Sequence, residues 1–324
     1  MKKFAHFNAY TIEEAVSILK RYNGKARVIA GGTDILGKMK DRILPNYPEA
    51  LVNIKTIVGL DSIKKEDGLL KIGALAILED IAHSSEVKKN YTALAEAARR
   101  TASPHLREMG TVGGNLCQDI RCWYYRNPDN TFPCLRKGGG RCYALEGDNR
   151  YHSIFGGSVD EGCIAVHPSD IAPTLLALNA DLRTSKRTIG IEEFFQVEVS
   201  KTTVLDYDEI LTEIHIPVPP HGSKTAFLKF ALRKSIDFPI VNCAAMITTS
   251  AGKVKAARIF LNAVYVKPYR AFKAEDAILG REIDETNAEA AGSAFVSDAK
   301  PLPHNSYMVQ IAKVVVKRAI LACR

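Results

Sequence analysis

The chain has 324 residues, which is enough for two or three hydrophobic cores. Its composition, 46% apolar and 25% charged, is typical of globular proteins, and no apolar run approaches the roughly 18 residues of a membrane-spanning helix. The net charge of +8 comes from scattered lysine and arginine residues without a basic run or stripe, which favours a bound nucleotide or an acidic partner subunit over nucleic acid.

Residues 1–55 are predicted to form a β-α-β unit. Thr11 and Glu14 form a capping box, and apolar spacing carries the helix that follows to about residue 22. Strands are predicted at residues 26–30 and 51–54. The first residues lack the apolar centre of a signal peptide, so we expect a cytoplasmic location.

The strand at residue 26 runs directly into a glycine phrase. Glycines after a strand let the backbone present several N–H groups to one point, and a pyrophosphate fits such a nest. The phrase lacks the third glycine of G-x-G-x-x-G and the Gly-Lys-Ser/Thr ending of a Walker loop, so a plain turn remains an alternative. The candidate binding residues are Ile29, Ala30, Gly31, Gly32, Thr33, Asp34 and Ile35.

Residues 56–116 are predicted to form further strands and helices, and they end in a second glycine phrase. A strand is predicted at 69–74, helices at 78–82 and 92–100, and a proline-opened turn from residue 103. Two separate glycine phrases predict one extended anion held by two backbone clamps, although two tight turns without a ligand would give the same pattern. The candidates in the second phrase are Thr111, Gly113, Gly114 and Asn115.

Residues 117–163 hold five of the seven cysteines and show no helical or strand period. A loop of this length inside a compact domain needs a cross-link or a bound metal to fix its structure. The spacing C-x4-C-x11-C-x7-C-x20-C fits neither a zinc ribbon or finger nor the common ferredoxin patterns. It is compatible with a 4Fe–4S cluster, and structural zinc remains open. Cys243 and Cys323 stand in apolar surroundings and are predicted core residues.

Regular structure is predicted to resume at residue 164. A buried strand at 164–166 is followed by a helix capped by Ser169 and Asp170, a hairpin over 180–191 and a strand over 209–216. The proline-rich stretch at 217–222 is the predicted domain boundary. Beyond it we expect strands at 225–232, 240–249 and 256–264, and then helices at 269–279, 286–294 and 306–321.

Motifs for protein-borne catalysis are missing from the sequence. It contains no His-Glu-x-x-His, no Gly-x-Ser-x-Gly and no outstanding carboxylate pair, and no histidines are paired at metal-binding spacing. We therefore assign no catalytic residue and expect bound cofactors to supply the chemistry.

The two glycine phrases resemble the FAD-pyrophosphate loops of the flavin subunit of molybdenum hydroxylases. That family includes xanthine dehydrogenase, carbon monoxide dehydrogenase of the molybdenum type, aldehyde oxidoreductases and 4-hydroxybenzoyl-CoA reductase. The resemblance covers the whole chain: residues 229–237 are similar to the family's Lys-x-x-x-Arg-x-x-x-Asp stretch. One departure is Gly32, where xanthine dehydrogenases have Asn.

The resemblance implies an α+β fold. A two-subdomain FAD-binding (PCMH-type) domain would precede a C-terminal α+β domain with a three-stranded sheet and helices, as in the CO dehydrogenase flavoprotein. The implied limits are 1–55 and 56–218 for the subdomains and 222–324 for the C-terminal domain, with FAD between them. Asp170 is implied to bind FAD hydroxyls, and Lys229 to lie near the flavin ring.

Most members of the family pass directly from the second glycine phrase to a segment like residues 169–173. Here residues 117–163 are inserted, and they resemble the loop that holds a 4Fe–4S cluster in the flavin subunits of 4-hydroxybenzoyl-CoA reductase and periplasmic-type aldehyde oxidoreductase. Cys117 is the spare thiol in this interpretation. The implied ligands are Cys122, Cys134, Cys142 and Cys163.

The function implied is electron transfer within a heteromeric oxidoreductase. The implied partners are a small subunit with 2Fe–2S clusters, a large molybdopterin subunit and an external electron carrier, with no nucleic acid. Two alternatives stand at this point: a stand-alone FAD reductase of the same fold, and a basic nucleic-acid-binding protein with a structural metal site.

Overall fold

The computed structural model describes residues 1–157, 162–196 and 201–324. Three sheets organise this part of the chain, and helices pack on each of them. Within the same residues, no helix combines the length and the apolar character needed to cross a membrane.

The N-terminal unit is the predicted β-α-β arrangement, with one additional helix. Its elements are β1 (Ala5–Asn8), α1 (Ile12–Arg21), β2 (Ala26–Ile29), α2 (Ile35–Lys40) and β3 (Ala50–Asn53). The strands pair in parallel in the order β1-β3-β2. Thr11 is confirmed as the N-cap, because its hydroxyl accepts from the Glu14 N–H. The Glu14 carboxylate accepts from the Tyr10 N–H, one residue before the N-cap, so the second bond of the predicted capping box is shifted by one residue. Helix α2 was not predicted, since Gly37 weakens the helical signal there.

The middle unit is built on a five-stranded antiparallel sheet. Its elements are β4 (Ile63–Glu66), β5 (Leu69–Gly73), α3 (Leu78–His83), α4 (Ser85–Asn90), α5 (Thr92–Arg100), α6 (Pro104–Arg107), α7 (Val112–Leu116), α8 (Ile171–Ala177), β6 (Asp181–Thr184), β7 (Thr188–Gly190), α9 (Ile191–Phe194) and β8 (Leu211–Pro217). The sheet order is β4-β5-β8-β6-β7. The predicted hairpin is confirmed as β6 and β7.

Between α7 and α8, the described part of the insert contains two short 3₁₀ turns, Pro128–Asn130 and Leu135–Lys137. The predicted strand at 164–166 is wrong. These residues are buried, but Val166 forms only an isolated bridge with Arg121 of the insert. An apolar run marks burial and does not by itself supply a strand partner.

The C-terminal unit carries an antiparallel sheet with helices on one face. Its elements are β9 (Ser223–Phe230), β10 (Val241–Ser250), β11 (Lys253–Asn262), β12 (Tyr269–Arg270), α10 (Phe272–Ile278), α11 (Glu285–Phe295) and α12 (Tyr307–Leu321). The sheet order is β12-β11-β10-β9, so the sheet has four strands where three were expected. The fourth strand takes the first two residues of the predicted helix at 269–279, because they pair with Phe260 and Leu261 at the sheet edge.

The C-terminal sheet is covered on both faces. Alternate residues of a strand point to opposite faces, and in β10 Ala244 packs into the core of the middle unit, whereas Cys243 and Ala245 pack against the C-terminal helices. Phe227 and Phe260 join the middle core from the neighbouring strands. The sheet therefore ties the two units together. The domain limits given above remain a prediction.

Candidate cofactor site

The first glycine phrase connects β2 to α2 and lies against the second phrase. Gly32 has a φ of +74°, a left-handed conformation that glycine adopts at no steric cost and that asparagine tolerates better than most residues. This conformation accounts for either residue standing at that position. A Cβ atom built on Gly31 would come within 1.9 Å of the Met109 carbonyl oxygen, so only glycine allows this approach.

Backbone donors distinguish the two phrases. In the described part of the chain, the N–H groups of Gly31, Gly32 and Thr33 have no acceptor. In the second phrase, the N–H groups of Val112 and Gly113 donate to the carbonyls of Ala76 and Ala74, both at 2.9 Å. Those of Gly114 and Asn115 donate to Thr111 at 3.1 and 2.8 Å. The first phrase thus offers three N–H donors to a ligand, whereas in the second phrase only the Thr111 N–H lacks an acceptor among the described residues.

The second phrase is the short helix α7, with Thr111 as its N-cap. A Cβ atom on Gly113 would lie 2.8 Å from the Ala74 carbonyl oxygen and 2.9 Å from the Ala74 Cβ atom. This geometry indicates that Gly113 serves close packing between α7 and the chain after β5. The prediction that both phrases clamp an anion through N–H groups is therefore supported by geometry at the first phrase.

A cavity of about 460 Å³, here called the central cavity, opens beside the first phrase. This volume lies in the range of small-molecule sites. Its wall is formed by all three units and the insert, and includes Thr33, Asp34, Asn115, Arg121, Asp170 and Phe238.

A buried ion pair stands behind the central cavity. Lys229 Nζ lies 2.7 Å from Asp170 Oδ2, and both side chains are almost fully buried. Asn242 Nδ2 donates to Asp170 Oδ1 at 2.7 Å, and Lys229 Nζ also donates to the Arg100 carbonyl oxygen at 3.0 Å. Burial raises the pKa of Asp170, and the Lys229 ammonium opposes that rise. The pair joins α8 to β9 and fixes one wall of the cavity.

Asp170→Asn is expected to destabilise the protein by about 3–5 kcal/mol, because it leaves the Lys229 charge buried without a counter-charge. Urea unfolding of flavin-free protein measures this loss. Lys25→Gln is the matched control, since it breaks the exposed pair between Lys25 and Glu49 and should change the stability little. Equal stability of the two variants would contradict the assignment.

The four predicted cysteine ligands line one narrow cavity, here called the cysteine cavity. Cys122, Cys134, Cys142 and Cys163 all contribute to its wall, although up to 41 residues separate them in the chain. Cys134 and Cys163 are buried, whereas Cys117 is exposed and lies outside the wall. Burial raises the pKa of the Cys122 thiol to about 12 and also raises that of Cys134 and Cys163. These thiols become thiolates only when a cation compensates their charge.

Arg136 lines the cysteine cavity, and Lys137 lies beside it, close enough to act on Cys134. Both cations are buried, each less than a tenth exposed. The Arg136 guanidinium counteracts the rise in the pKa of Cys163, and Lys137 does the same for Cys134. His152 Nε2 lies 3.2 Å from Cys122 Sγ. A metal cluster held by four thiolates carries net negative charge, which such cations would balance.

Among the described residues, no group of three or more His, Cys, Asp or Glu side chains is arranged so that it could hold a metal ion. The cysteine cavity itself encloses only about 10 Å³, so loading a cluster would require the four thiols to move apart.

The structure brings some of the predicted cofactor residues to the cavity wall and leaves others behind it. Thr33, Asp34, Asn115 and Asp170 line the central cavity. The remaining predicted residues do not line it and lie in the two glycine phrases or in β9: Ile29, Ala30, Gly31, Gly32, Ile35, Thr111, Gly113, Gly114 and Lys229. Their contacts with a bound cofactor remain predictions.

Sequence reasoning missed Lys38, Arg121 and Arg126, which also line the central cavity. Arg121 and Arg126 flank the Cys-Trp-Tyr-Tyr stretch of the insert, in which the sequence indicated only Cys122 as a binding residue. Nothing in the local pattern of Lys38 distinguishes it from other surface lysines.

A glycine phrase with unused N–H donors, beside a cavity between two domains, defines a protein that binds a phosphate-bearing cofactor. Comparison with known families carries the identification further. Residues 2–219 match the FAD binding domain in molybdopterin dehydrogenase, and residues 226–323 match the CO dehydrogenase flavoprotein C-terminal domain. The chain belongs to this family of FAD-binding oxidoreductase subunits, which confirms the family resemblance, the fold class and the assignment of FAD. These matches do not support a 4Fe–4S cluster in the insert.

Individual relatives align with this chain over nearly their full lengths. The chain is 34% identical to the aldehyde oxidoreductase FAD-binding subunit PaoB of Escherichia coli strain K12, over 100% of this chain and 99% of that one. It is 26% identical to the carbon monoxide dehydrogenase medium chain of Hydrogenophaga pseudoflava, over 99% and 96%. A solved structure of carbon monoxide dehydrogenase from the same organism, lacking the Mo-pyranopterin moiety of its cofactor, superimposes with a TM-score of 0.79 at 25% identity, covering 99% of this chain and 97% of that one.

Proposed function

We propose that this chain is the electron-transfer subunit of a heteromeric molybdenum hydroxylase-type oxidoreductase, with FAD in the central cavity and a 4Fe–4S cluster in residues 117–163. The observation that carries the cluster assignment is the convergence of four cysteines, chosen from sequence, on one cavity with two buried cations. The matched family and the aldehyde oxidoreductase relative are named for FAD and not for an iron–sulfur cluster.

For FAD, the residues present fit the cofactor. The unused N–H groups of Gly31, Gly32 and Thr33 are placed to bind the pyrophosphate, and Gly31 keeps the two phrases in contact. Asp170 reaches the cavity wall and is held there by Lys229 and Asn242, which agrees with its implied contact to FAD hydroxyls. Bound FAD would supply the redox chemistry, since its isoalloxazine accepts and donates electrons.

At the cysteine cavity, the residues supply four thiols and a shell that excludes water. Tyr124, Tyr125 and Tyr143 line the cavity together with the cysteines. A hydrophobic shell and nearby hydrogen bonds tune the potential of an iron–sulfur cluster. The position of the insert, which lines both cavities, fits transfer between the two cofactors.

The partners we propose are a small subunit with 2Fe–2S clusters, a large molybdopterin subunit and an external electron carrier. Support comes from relatives that are named as one subunit of a larger enzyme: the FAD-binding subunit of aldehyde oxidoreductase and the medium chain of carbon monoxide dehydrogenase. A cytoplasmic location is part of the same proposal. Family membership favours this function over the nucleic-acid-binding alternative, because the FAD-binding and C-terminal family matches together cover nearly the whole chain.

Anaerobic analysis of the purified chain for flavin, iron, zinc and acid-labile sulfide tests the proposal. The expected result is one flavin with about four iron and four sulfide, the stoichiometry of one 4Fe–4S cluster. Flavin with zinc and no sulfide would overturn the cluster and keep the flavin subunit. A folded chain with neither flavin nor iron, even after reconstitution, would overturn both parts.

A further inference from the structure

A cluster of ion pairs joins the insert to the first glycine phrase. Asp34, which directly follows Thr33, is contacted by Arg121 Nη1 at 3.2 Å and by Arg126 Nη1 at 2.8 Å. The Asp119 N–H donates to Asp34 Oδ2 at 3.1 Å, and Lys38 Nζ lies 3.2 Å from Asp119 Oδ2. The insert therefore holds the phrase at the point where it borders the central cavity.

Arg121 also connects the insert to the C-terminal unit. Its guanidinium carbon lies 4.2 Å from the centre of the Phe238 ring, and both side chains line the central cavity. Its Nε atom is buried and has no hydrogen-bond partner among the described residues. Buried donors in proteins are almost always paired, and a guanidinium beside a cavity suits an anionic ligand.

The same cluster reaches the wall of the cysteine cavity. Tyr125 is buried in that wall, and its hydroxyl donates to the Asp119 carboxylate. Arg126 donates to the carbonyl oxygens of Ile120 and Asp119, at 3.0 and 2.9 Å, and Ile120 also belongs to the wall of the cysteine cavity. One set of side chains thus borders both cavities.

We propose that the insert completes the FAD site: Arg121 donates to an anionic group of FAD, and the cluster of Arg121, Arg126 and Asp119 couples FAD binding to closure of the cysteine cavity. The inference rests on FAD binding in the central cavity, as proposed above, but not on metal in the cysteine cavity. Coupling between two sites is reciprocal. If bound FAD increases the equilibrium constant for closing the cysteine cavity by some factor, then closing the cavity increases the affinity for FAD by the same factor.

The test uses the full-length chain freed of flavin and iron. FAD affinity is measured by quenching of flavin fluorescence, and closure of the cysteine cavity by the alkylation rate of Cys134 and Cys163, read by mass spectrometry with and without saturating FAD. In the wild-type protein, FAD is expected to slow alkylation of both thiols. Arg121→Gln is expected to weaken FAD binding by about tenfold or more and to reduce the protection of the thiols, because it removes a charge-assisted donor.

Three further variants make the result specific. Arg141→Gln changes an exposed arginine of the same insert that lines neither cavity, and it should bind FAD as tightly as the wild-type protein does. Arg121→Lys keeps the charge and should recover part of the affinity. Arg126→Gln breaks the coupling at a second position and provides the test if Arg121→Gln fails to fold.

Three outcomes would overturn the inference. In the first, wild-type thiols react equally fast with and without FAD. In the second, Arg121→Gln and Arg126→Gln bind FAD as tightly as Arg141→Gln does. In the third, the wild-type chain binds no FAD, which would overturn the proposed function as well. The FAD titration of the wild-type chain alone distinguishes this outcome from the other two.

Discussion

Gly31→Ala is expected to weaken FAD binding by about 10- to 100-fold, the range that corresponds to the roughly 1–3 kcal/mol of an overpacked contact. The added Cβ atom would meet the Met109 carbonyl oxygen at 1.9 Å and the Gly110 Cα atom at 3.2 Å. Both are backbone atoms, so no side chain can rotate away. The two glycine phrases would have to separate, which moves the N–H groups of Gly31, Gly32 and Thr33 from the position where they meet one pyrophosphate.

Gly190→Ala is the matched control. Gly190 has a φ of −61°, and no neighbouring atom lies within 4 Å of a Cβ atom built on it. Titration of flavin-free protein with FAD gives the two dissociation constants, and circular dichroism confirms that both variants fold. If Gly31→Ala bound FAD as tightly as Gly190→Ala, contact between the phrases would not be a requirement of the site.

The features that could be predicted from sequence are those with a local chemical cause. Gly31 and Gly32 follow a short apolar strand, and this order of residues is enough to predict a nest of N–H groups. Residue type and spacing indicated only a cysteine-rich metal site, and the family resemblance implied which four cysteines are the ligands. The structure gathers these four thiols around one cavity and leaves Cys117 outside. The predicted strands at 225–232, 240–249 and 256–264 match β9, β10 and β11 to within three residues at each end.

The features that could not be predicted depend on contacts between distant parts of the chain. Gly31 is restricted by Met109, and Asp34 takes its arginines from the insert, so neither constraint is visible within any sequence window. Helices α2 and α7 contain glycine, which lowers helix propensity, and tertiary contacts override that cost. The short strand β12 exists because β11 offers an open edge to pair with.

Cys134→Ser is expected to lower the iron and sulfide content from about four of each to near zero, because a 4Fe–4S cluster needs four thiolate ligands. Cys134 is buried in the wall of the cysteine cavity, and Lys137 lies close enough to favour its thiolate. A serine hydroxyl at this position stays protonated and neutral, so it cannot replace the thiolate. Iron and sulfide assays and the absorption spectrum of anaerobically purified protein measure the loss.

Flavin content should respond differently. FAD binds in the central cavity, whose wall does not include Cys134, so the variant should still reach about one flavin per chain at saturating FAD. A Cys134→Ser protein that lost flavin at saturation would show that the insert supports the whole domain and not a separate cluster.

Cys117→Ser is the matched control, since it removes a thiol of the same insert that is exposed and lies outside the wall. It should retain full iron and sulfide. Loss of the cluster in Cys117→Ser together with its retention in Cys134→Ser would exchange the two residues in the ligand set. Full iron in both variants, and in Cys122→Ser and Cys142→Ser as well, would end the assignment, because no four-thiolate set could then be built from the described cysteines at this cavity.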